Sequence, residues 1–339
     1  MGGGTIRHLT KLLSVLFALS FAQSAWAACV VNGTSYKTIT GSGTKVTRTQ
    51  MMAWATGDVT TCDVTDSSLS NMSDLFFNKT VFDQDLSAWD TSSVTSMSYM
   101  FSGATSLTSV SLPQTGNVLD MQSMFSGATS LTSVSLPTTG AVTNMENMFT
   151  NARSLTTVSL PQTGGVLYMG HMFSGATSLT SVSLPQTGNV LDMFLMFANA
   201  TSLTSVYLPQ TGNVLNMSVM FYNATSFNQD IGDWDTSSVT NMSNMFNTAT
   251  SFNQDIRAWD TSSVTSFSDM FYDATSMLST YSGVSGFGAT PTASFFDSTA
   301  PTLSAVSIAS NNSITTQAIA DDVVTLTLTA SEAISTPVV

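Results

Sequence analysis

The chain has 339 residues, of which only 9% are charged and 42% hydrophobic. That is length enough for two or three ordinary domains, with hydroxyls rather than charges filling the polar positions. A formal net charge of −13 and no cluster among the 8 basic side chains exclude nucleic acid as a primary partner.

At the N-terminus Arg7, His8 and Lys11 precede the apolar run "LLSVLFALSFA" at 12–22, and Ala25 and Ala27 supply an A-x-A cleavage site. This pattern predicts a secretory signal peptide over residues 1–27, because the run is too short to span a bilayer. A lipoprotein anchor at Cys29 is the alternative, with Trp26 standing where such signals usually carry a leucine-like residue. Cleavage removes Arg7 and Lys11, leaving 6 of the 8 basic side chains against 21 acidic ones. The expected location is secreted or cell-surface, with membrane contact only through the signal or through an anchor outside this sequence.

Residues 28–70 read as an N-terminal cap. Cys29 and Cys62 are the only cysteines, and one disulfide between them suits an exported cap. A redox or metal pair is the other reading. With His171 the sole histidine past the signal, no zinc set of Cys/His type is available, and neither metal nor cofactor is expected.

From residue 71 to 280 the sequence repeats. The phrase M-x-x-M-F, with small variations, closes at Phe76, Phe101, Phe125, Phe149, Phe173, Phe197, Phe221, Phe246 and Phe271, at spacings of 24 or 25. Nine turns at so fixed a period predict a solenoid in which each coil buries its apolar side only against its neighbours. The five central coils read like "LTSVSLPQTGNVLDMQSMF". Three outer coils carry "F-x-Q-D" and a tryptophan, at Trp89, Trp234 and Trp259.

Within a central coil, Leu107, Val110, Leu112 and Pro113 predict a short parallel strand with Val110 and Leu112 inward and Ser109 and Ser111 outward. "QTGN" follows as a turn, with Gly116 expected at positive φ. Apolar residues at 118, 121, 124 and 125 have helical spacing, so the next segment is expected to form a helical turn capped by Asp120, Asn144 or Asp192. The expected fold is therefore one strand and one helical turn per 24–25-residue coil. Nine strands would make a sheet about 40 Å long, concave because the helical side is wider. The Met and Phe columns are expected to be core rather than copper or haem ligands.

Residues 281–297, rich in Gly, Ser and Thr, read as a linker. Over 298–339, "LSAVSIAS" and "VVTLTLTAS" alternate as two strands.

The phrase "MFSGATSLTSVSLP" at 124–137 resembles the treponemal form of the repeat in BspA-like bacterial surface proteins. "SFNQDIGDWDTSSVTNMSNMF" at 226–246 resembles a shorter repeat of unknown function in bacterial and mycoplasmal surface proteins. Where the treponemal form often has cysteine, this chain has Ala128, Ala152, Ala176 and Ala200. The resemblance implies a leucine-rich-repeat-like fold, a cell-surface location and, for some members, attachment to host matrix proteins. It supplies no catalytic residues. Residues 298–339 resemble the opening of a bacterial immunoglobulin-like module, which needs about 100 residues. The sequence is thus expected to end inside a domain.

The candidate binding surface is the strand face: Ser109, Ser111, Ser133, Ser135, Thr157, Ser159, Ser181, Ser183, Ser205 and Tyr207. An extracellular protein or glycan is the expected partner, and adhesion or recognition without catalysis the expected function. Two other readings are a passive stalk and a hydroxyl array on Thr108, Thr132, Thr156, Thr180 and Thr204 matched to ice or a crystalline polysaccharide. Asp230, Asp233 and Asp235 lack the closing Glu and central Gly of a calcium loop and are expected to hold turns. His171 and Glu146 stand alone, with no convergent catalytic set.

Overall fold

The computed structural model describes residues 29–296 throughout and, beyond them, the strands Leu303–Ser310 and Val324–Ala330. The signal peptide expected over residues 1–27 and most of 298–339 lie outside the described residues. Contacts divide the chain into Met1–Phe296 and Asp297–Val339.

The first unit begins with an antiparallel hairpin, β1 (Cys29–Val31) and β2 (Thr34–Tyr36), turning on Asn32 and Gly33, both at positive φ. A one-turn helix, α1 (Arg48–Met52), starts at a capping box between Thr47 and Gln50. The expected disulfide joins Cys29 to Cys62. Lys37 pairs with the buried Asp63 at 2.5 Å. Burial alone would raise the Asp63 pKa, but hydrogen bonds from Lys37 and Thr65 outweigh it and hold the carboxyl at about 2. Trp54 lies edge-on to Phe76 and Phe82, at 6.1 and 5.2 Å, and so closes one end of the aromatic column of the repeats.

The central coils carry β3 (Ser109–Ser111), β4 (Ser133–Ser135), β5 (Thr157–Ser159), β6 (Ser181–Ser183) and β7 (Ser205–Tyr207). They pair in parallel at a register of one coil, β3 with β4, β5 with β6 and β6 with β7. The expected sheet of nine strands is corrected to five, in two groups. The outer coils have no strand here because their "F-x-Q-D" phrase puts side-chain amides and carboxylates where the central coils pair backbone. Asp83 Oδ1 accepts the Thr108 N–H at 2.9 Å on the open edge of β3. Gln229 does the same for β7.

The expected helical turn is also corrected. In each coil the segment ending at the marker phenylalanine is a run of tight turns bonded sideways to the next coil. Met97, Tyr99, Phe101 and Gly103 donate their N–H groups to the carbonyls of Asp120, Gln122, Met124 and Ser126, at 2.8–2.9 Å. The alternate residues Met100, Ser102 and Ala104 donate within their own coil. A two-turn helix would leave most of its terminal groups unpaired, whereas an identical segment one coil away satisfies them. Bridges through Asn71, Ser96, Asp120, Asn144, Tyr168, Asp192, Asn216, Asn241 and Ser266 make this ladder continuous across every coil. Asp120 caps no helix: its carboxylate accepts the Gln122 N–H, closing an Asx turn. With no wider helical side, the reason for expecting a concave strand face disappears.

The turns need left-handed backbone at two positions per coil, four residues apart, as at Ser123 and Gly127 or His171 and Gly175. Gly116 is not among the positive-φ residues. A Cβ at Gly188 would lie 2.9 Å from Gln210 Oε1 of the following coil, whereas one at Gly116 would meet nothing closer than 4.0 Å.

Inside, the marker phenylalanines stack from coil to coil, with centroids 5.4–5.6 Å apart from Phe101 to Phe246. Each contact adds about 0.5–1.5 kcal/mol beyond its area. The methionine columns are fully buried beside them, as expected. Beneath runs a column of buried threonines that the sequence reading had not singled out. Thr91, Thr115, Thr139, Thr163, Thr187, Thr211 and Thr236 each donate a hydroxyl to a carbonyl of the next coil at 2.5–2.9 Å.

Residues 281–296 are not a linker. After α2 (Thr275–Thr280), Phe287 and Phe295 pack on Phe271 and Tyr281 joins them, so this segment caps the other end of the aromatic column. In the second unit, β8 (Leu303–Ser310) and β9 (Val324–Ala330) pair antiparallel, matching the two strands expected there.

Candidate functional site

Strand alternation places the predicted residues as expected, with Val110, Val158, Val182 and Val206 buried and the flanking hydroxyl residues exposed or half-buried. All ten lie on the strand face, but in two groups. Ser109, Ser111, Ser133 and Ser135 belong to β3–β4, and Thr157, Ser159, Ser181, Ser183, Ser205 and Tyr207 to β5–β7, with no ladder joining β4 to β5.

Hydroxyls in adjoining columns behave differently. Thr132 donates to the Thr108 carbonyl at 3.0 Å, Thr180 to Thr156 at 3.0 Å and Thr204 to Thr180 at 3.1 Å. Thr108 donates to the Asp83 carboxylate. These hydroxyl protons zip coils together and are not offered outward, which weakens an array of threonines matched to ice. Among the described residues, the hydroxyls of the ten strand-face residues make no hydrogen bond to the protein, so each is free to donate and accept.

Over β5–β7 the face forms an open groove of about 410 Å³, floored by Val158, Val182 and Val206 and lined by serine, threonine, Tyr207 and Gln229. No charged side chain lines it. Gln229 is its end wall: Oε1 accepts the Val206 N–H at 2.7 Å and Nε2 donates to the Val206 carbonyl at 3.0 Å. Sequence reasoning missed this residue, although "FNQD" replacing "LTSV" one coil after β7 was the available signal.

The acidic side chains of the outer coils close turns. Asp235 accepts both the N–H and the hydroxyl of Ser237, which hold its carboxyl below the usual range. Asp90 with Ser92 repeats the arrangement, and Asp260 accepts the Ser262 N–H; both carboxyls are likewise held below the usual range. Asp230 accepts the Gly232 N–H. His171 occupies one of the left-handed positions, its ring edge-on to Phe194 at 5.1 Å. Among the described residues no helix is long and apolar enough to cross a membrane.

Among solved structures, the leucine-rich repeat protein of T. pallidum is similar at 20% identity and a TM-score of 0.30, over 48% of this chain and 62% of that one. The chain therefore spans less than two thirds of that protein's length. Internalin C2 of Listeria monocytogenes is similar at 14% identity and a TM-score of 0.30, over 61% of this chain and 79% of that one. A leucine-rich repeat protein of Bacteroides ovatus gives 16% identity and a TM-score of 0.23, over 64% and 79%. The solenoid assignment rests on the coil-to-coil bonding above and not on these overlaps. No curated protein matches the chain. A family model matches residues 44–158, 132–209 and 205–300, as the shorter repeat had led one to expect, and the chain belongs to the family described as Mycoplasma protein of unknown function, DUF285.

Proposed function

We propose that this is an exported, cell-surface repeat protein that recognises an extracellular protein or glycan through its strand face, without catalysis. The observation that carries the reading is the contrast between neighbouring hydroxyl columns. Thr132, Thr180 and Thr204 at the strand edge and Thr115 in the core spend their protons on a neighbouring coil, whereas the strand-face hydroxyls make no hydrogen bond among the described residues. A surface of unspent donors and acceptors on a rigid frame suits recognition. The Cys29–Cys62 disulfide supports an oxidising compartment, and with it removal of residues 1–27 on export. The BspA-like resemblance of 124–137 supports a bacterial surface location. An immunoglobulin-like module begun by β8 and β9 would link the solenoid to a larger surface protein.

The test is binding of the full chain to immobilised matrix proteins and glycans, beside a variant carrying Ser109→Lys, Ser133→Lys, Ser181→Lys and Ser205→Lys. Saturable binding lost in the folded variant is expected. Equal binding by both would move recognition off this face, and no binding by either would favour a passive stalk.

A further inference from the structure

The strand face is not a uniform rod. It breaks between β4 and β5, ends at Gln229, and in its last strand exchanges a serine for a tyrosine. The positions equivalent to Tyr207 in the other central coils are Ser111, Ser135, Ser159 and Ser183. Tyr207 is 56% exposed, with its ring at the edge of the groove and no aromatic neighbour among the described residues to stack on. The coil fold does not depend on this ring, since the four other central coils carry serine in its place.

We infer that the groove over β5–β7 binds a neutral carbohydrate chain, with Tyr207 as the platform on which one sugar ring stacks. This rests on the strand face being the recognition surface, and deepens that reading by naming a ligand class. An anionic chain would find no cation here, because none of Lys79, Arg153 or Arg257 lines the groove and Arg257 is already paired with Asp255. A basic peptide would find no carboxylate in the lining. An extended peptide adding as a strand at the end of β7 is blocked, since Gln229 already fills both bonding positions of Val206. An apolar peptide would bury the hydroxyls of Ser181, Ser183 and Ser205 without partners, which is costly. A neutral sugar chain meets each condition. Its hydroxyls exchange donor and acceptor bonds with serine hydroxyls and with the remaining amide proton of Gln229, and its C–H face covers the tyrosine ring. The groove's size falls within the range of small-ligand sites.

The experiment titrates the full chain with neutral linear hexasaccharides of glucose, mannose and N-acetylglucosamine, with a heparin hexasaccharide and with unglycosylated matrix proteins. Two variants run alongside. Tyr207→Ser writes the residue that other coils carry, and Tyr207→Phe keeps the ring. Binding of at least one neutral hexasaccharide is expected, weakened about ten-fold or more by Tyr207→Ser, largely kept by Tyr207→Phe, and not competed by heparin. Thermal melts of the variants should match the parent. Binding of unglycosylated protein that the serine-to-lysine variant loses and Tyr207→Ser keeps would overturn the carbohydrate assignment and leave the strand-face reading standing. Heparin binding in preference to neutral sugars would overturn the assignment in the same way. Binding of neither class would overturn both.

Discussion

Gln229 and Val206 are bonded as two strand residues would be, except that one partner is a side chain. The carboxamide of Gln229 takes the Val206 N–H and returns an N–H to its carbonyl, so a primary amide stands in for the peptide of a missing sixth strand. Such a device answers the edge-strand problem, since an unpaired edge is a template for another chain. Gln84 makes the equivalent pair of bonds to Val59 and Gly57 of the N-terminal cap. Gln229→Ala should therefore leave the Val206 amide open, at a cost of about 1–2 kcal/mol. Hydrogen exchange is the direct readout. The Val206 amide should exchange about ten-fold faster in the variant, with Val158 on β5 unchanged. Equal exchange at Val206 would mean the carboxamide does not hold the edge.

The turn ladder stores strain where its left-handed positions fall on the wrong residue. Asn147 and Asn244 suit that backbone, but Val219 occupies the same coil position at φ 60°, and Thr248 sits at φ 58° in the second column. A β-branched residue pays about 1–2 kcal/mol for this conformation, which asparagine adopts more readily. Val219→Asn and Thr248→Asn are each expected to stabilise the protein by about 1 kcal/mol. Their effects should add, because the two side chains lie in different columns. Chemical denaturation at equilibrium checks both, and a loss of stability in either would show that packing of the branched side chain outweighs the backbone.

Much of this architecture was legible from spacing alone. The period, the phenylalanine stack, the buried methionines, inward Val110 against outward Ser109, the disulfide and the strands at 303–310 and 324–330 were all readable from repetition, alternation and residue type. The helical turn failed because apolar residues at 118, 121, 124 and 125 fit a helix and a chain of turns equally well. What separates the two is the bonding partner one coil away, which periodicity does not encode. A trace of it was present: Asn78, Gly103, Gly127, Asn151, Gly175, Asn199 and Asn223 form a column of residue types tolerant of positive φ. The threonine columns misled for a related reason. Thr115 and Thr132 are the same residue type, yet one hydroxyl is buried and the other lies at the strand edge, and both are committed to a neighbouring coil.

The buried threonine column predicts an isosteric penalty. Thr163 is fully buried and donates to the Gln186 carbonyl at 2.8 Å. Thr163→Val preserves the shape and deletes the donor, leaving a carbonyl short of a partner, and should cost about 1–3 kcal/mol. Thr163→Ser keeps the hydroxyl and should lose only the methyl's packing, about 1 kcal/mol. If valine proves as stable as threonine, the hydroxyl column does not tie the coils together.

Acid should loosen the N-terminal cap first. Asp63 is held at about 2 in the folded protein against an ordinary 3.8. A depressed carboxyl contributes its stabilisation in full above the unfolded value and loses it as pH falls from near 4 toward 2. The contribution at neutral pH is on the order of 2 kcal/mol. Because Trp54 sits in the same cap, against Phe76 and Phe82, its fluorescence should report the transition, with neighbouring tryptophans substituted to isolate it. Lys37→Met removes the cation that offsets burial and leaves Asp63 buried without its ion pair. The variant should be less stable at pH 7, and the acid midpoint of its Trp54 signal should move up. An unchanged midpoint would place the acid-sensitive group elsewhere than the Lys37–Asp63 pair.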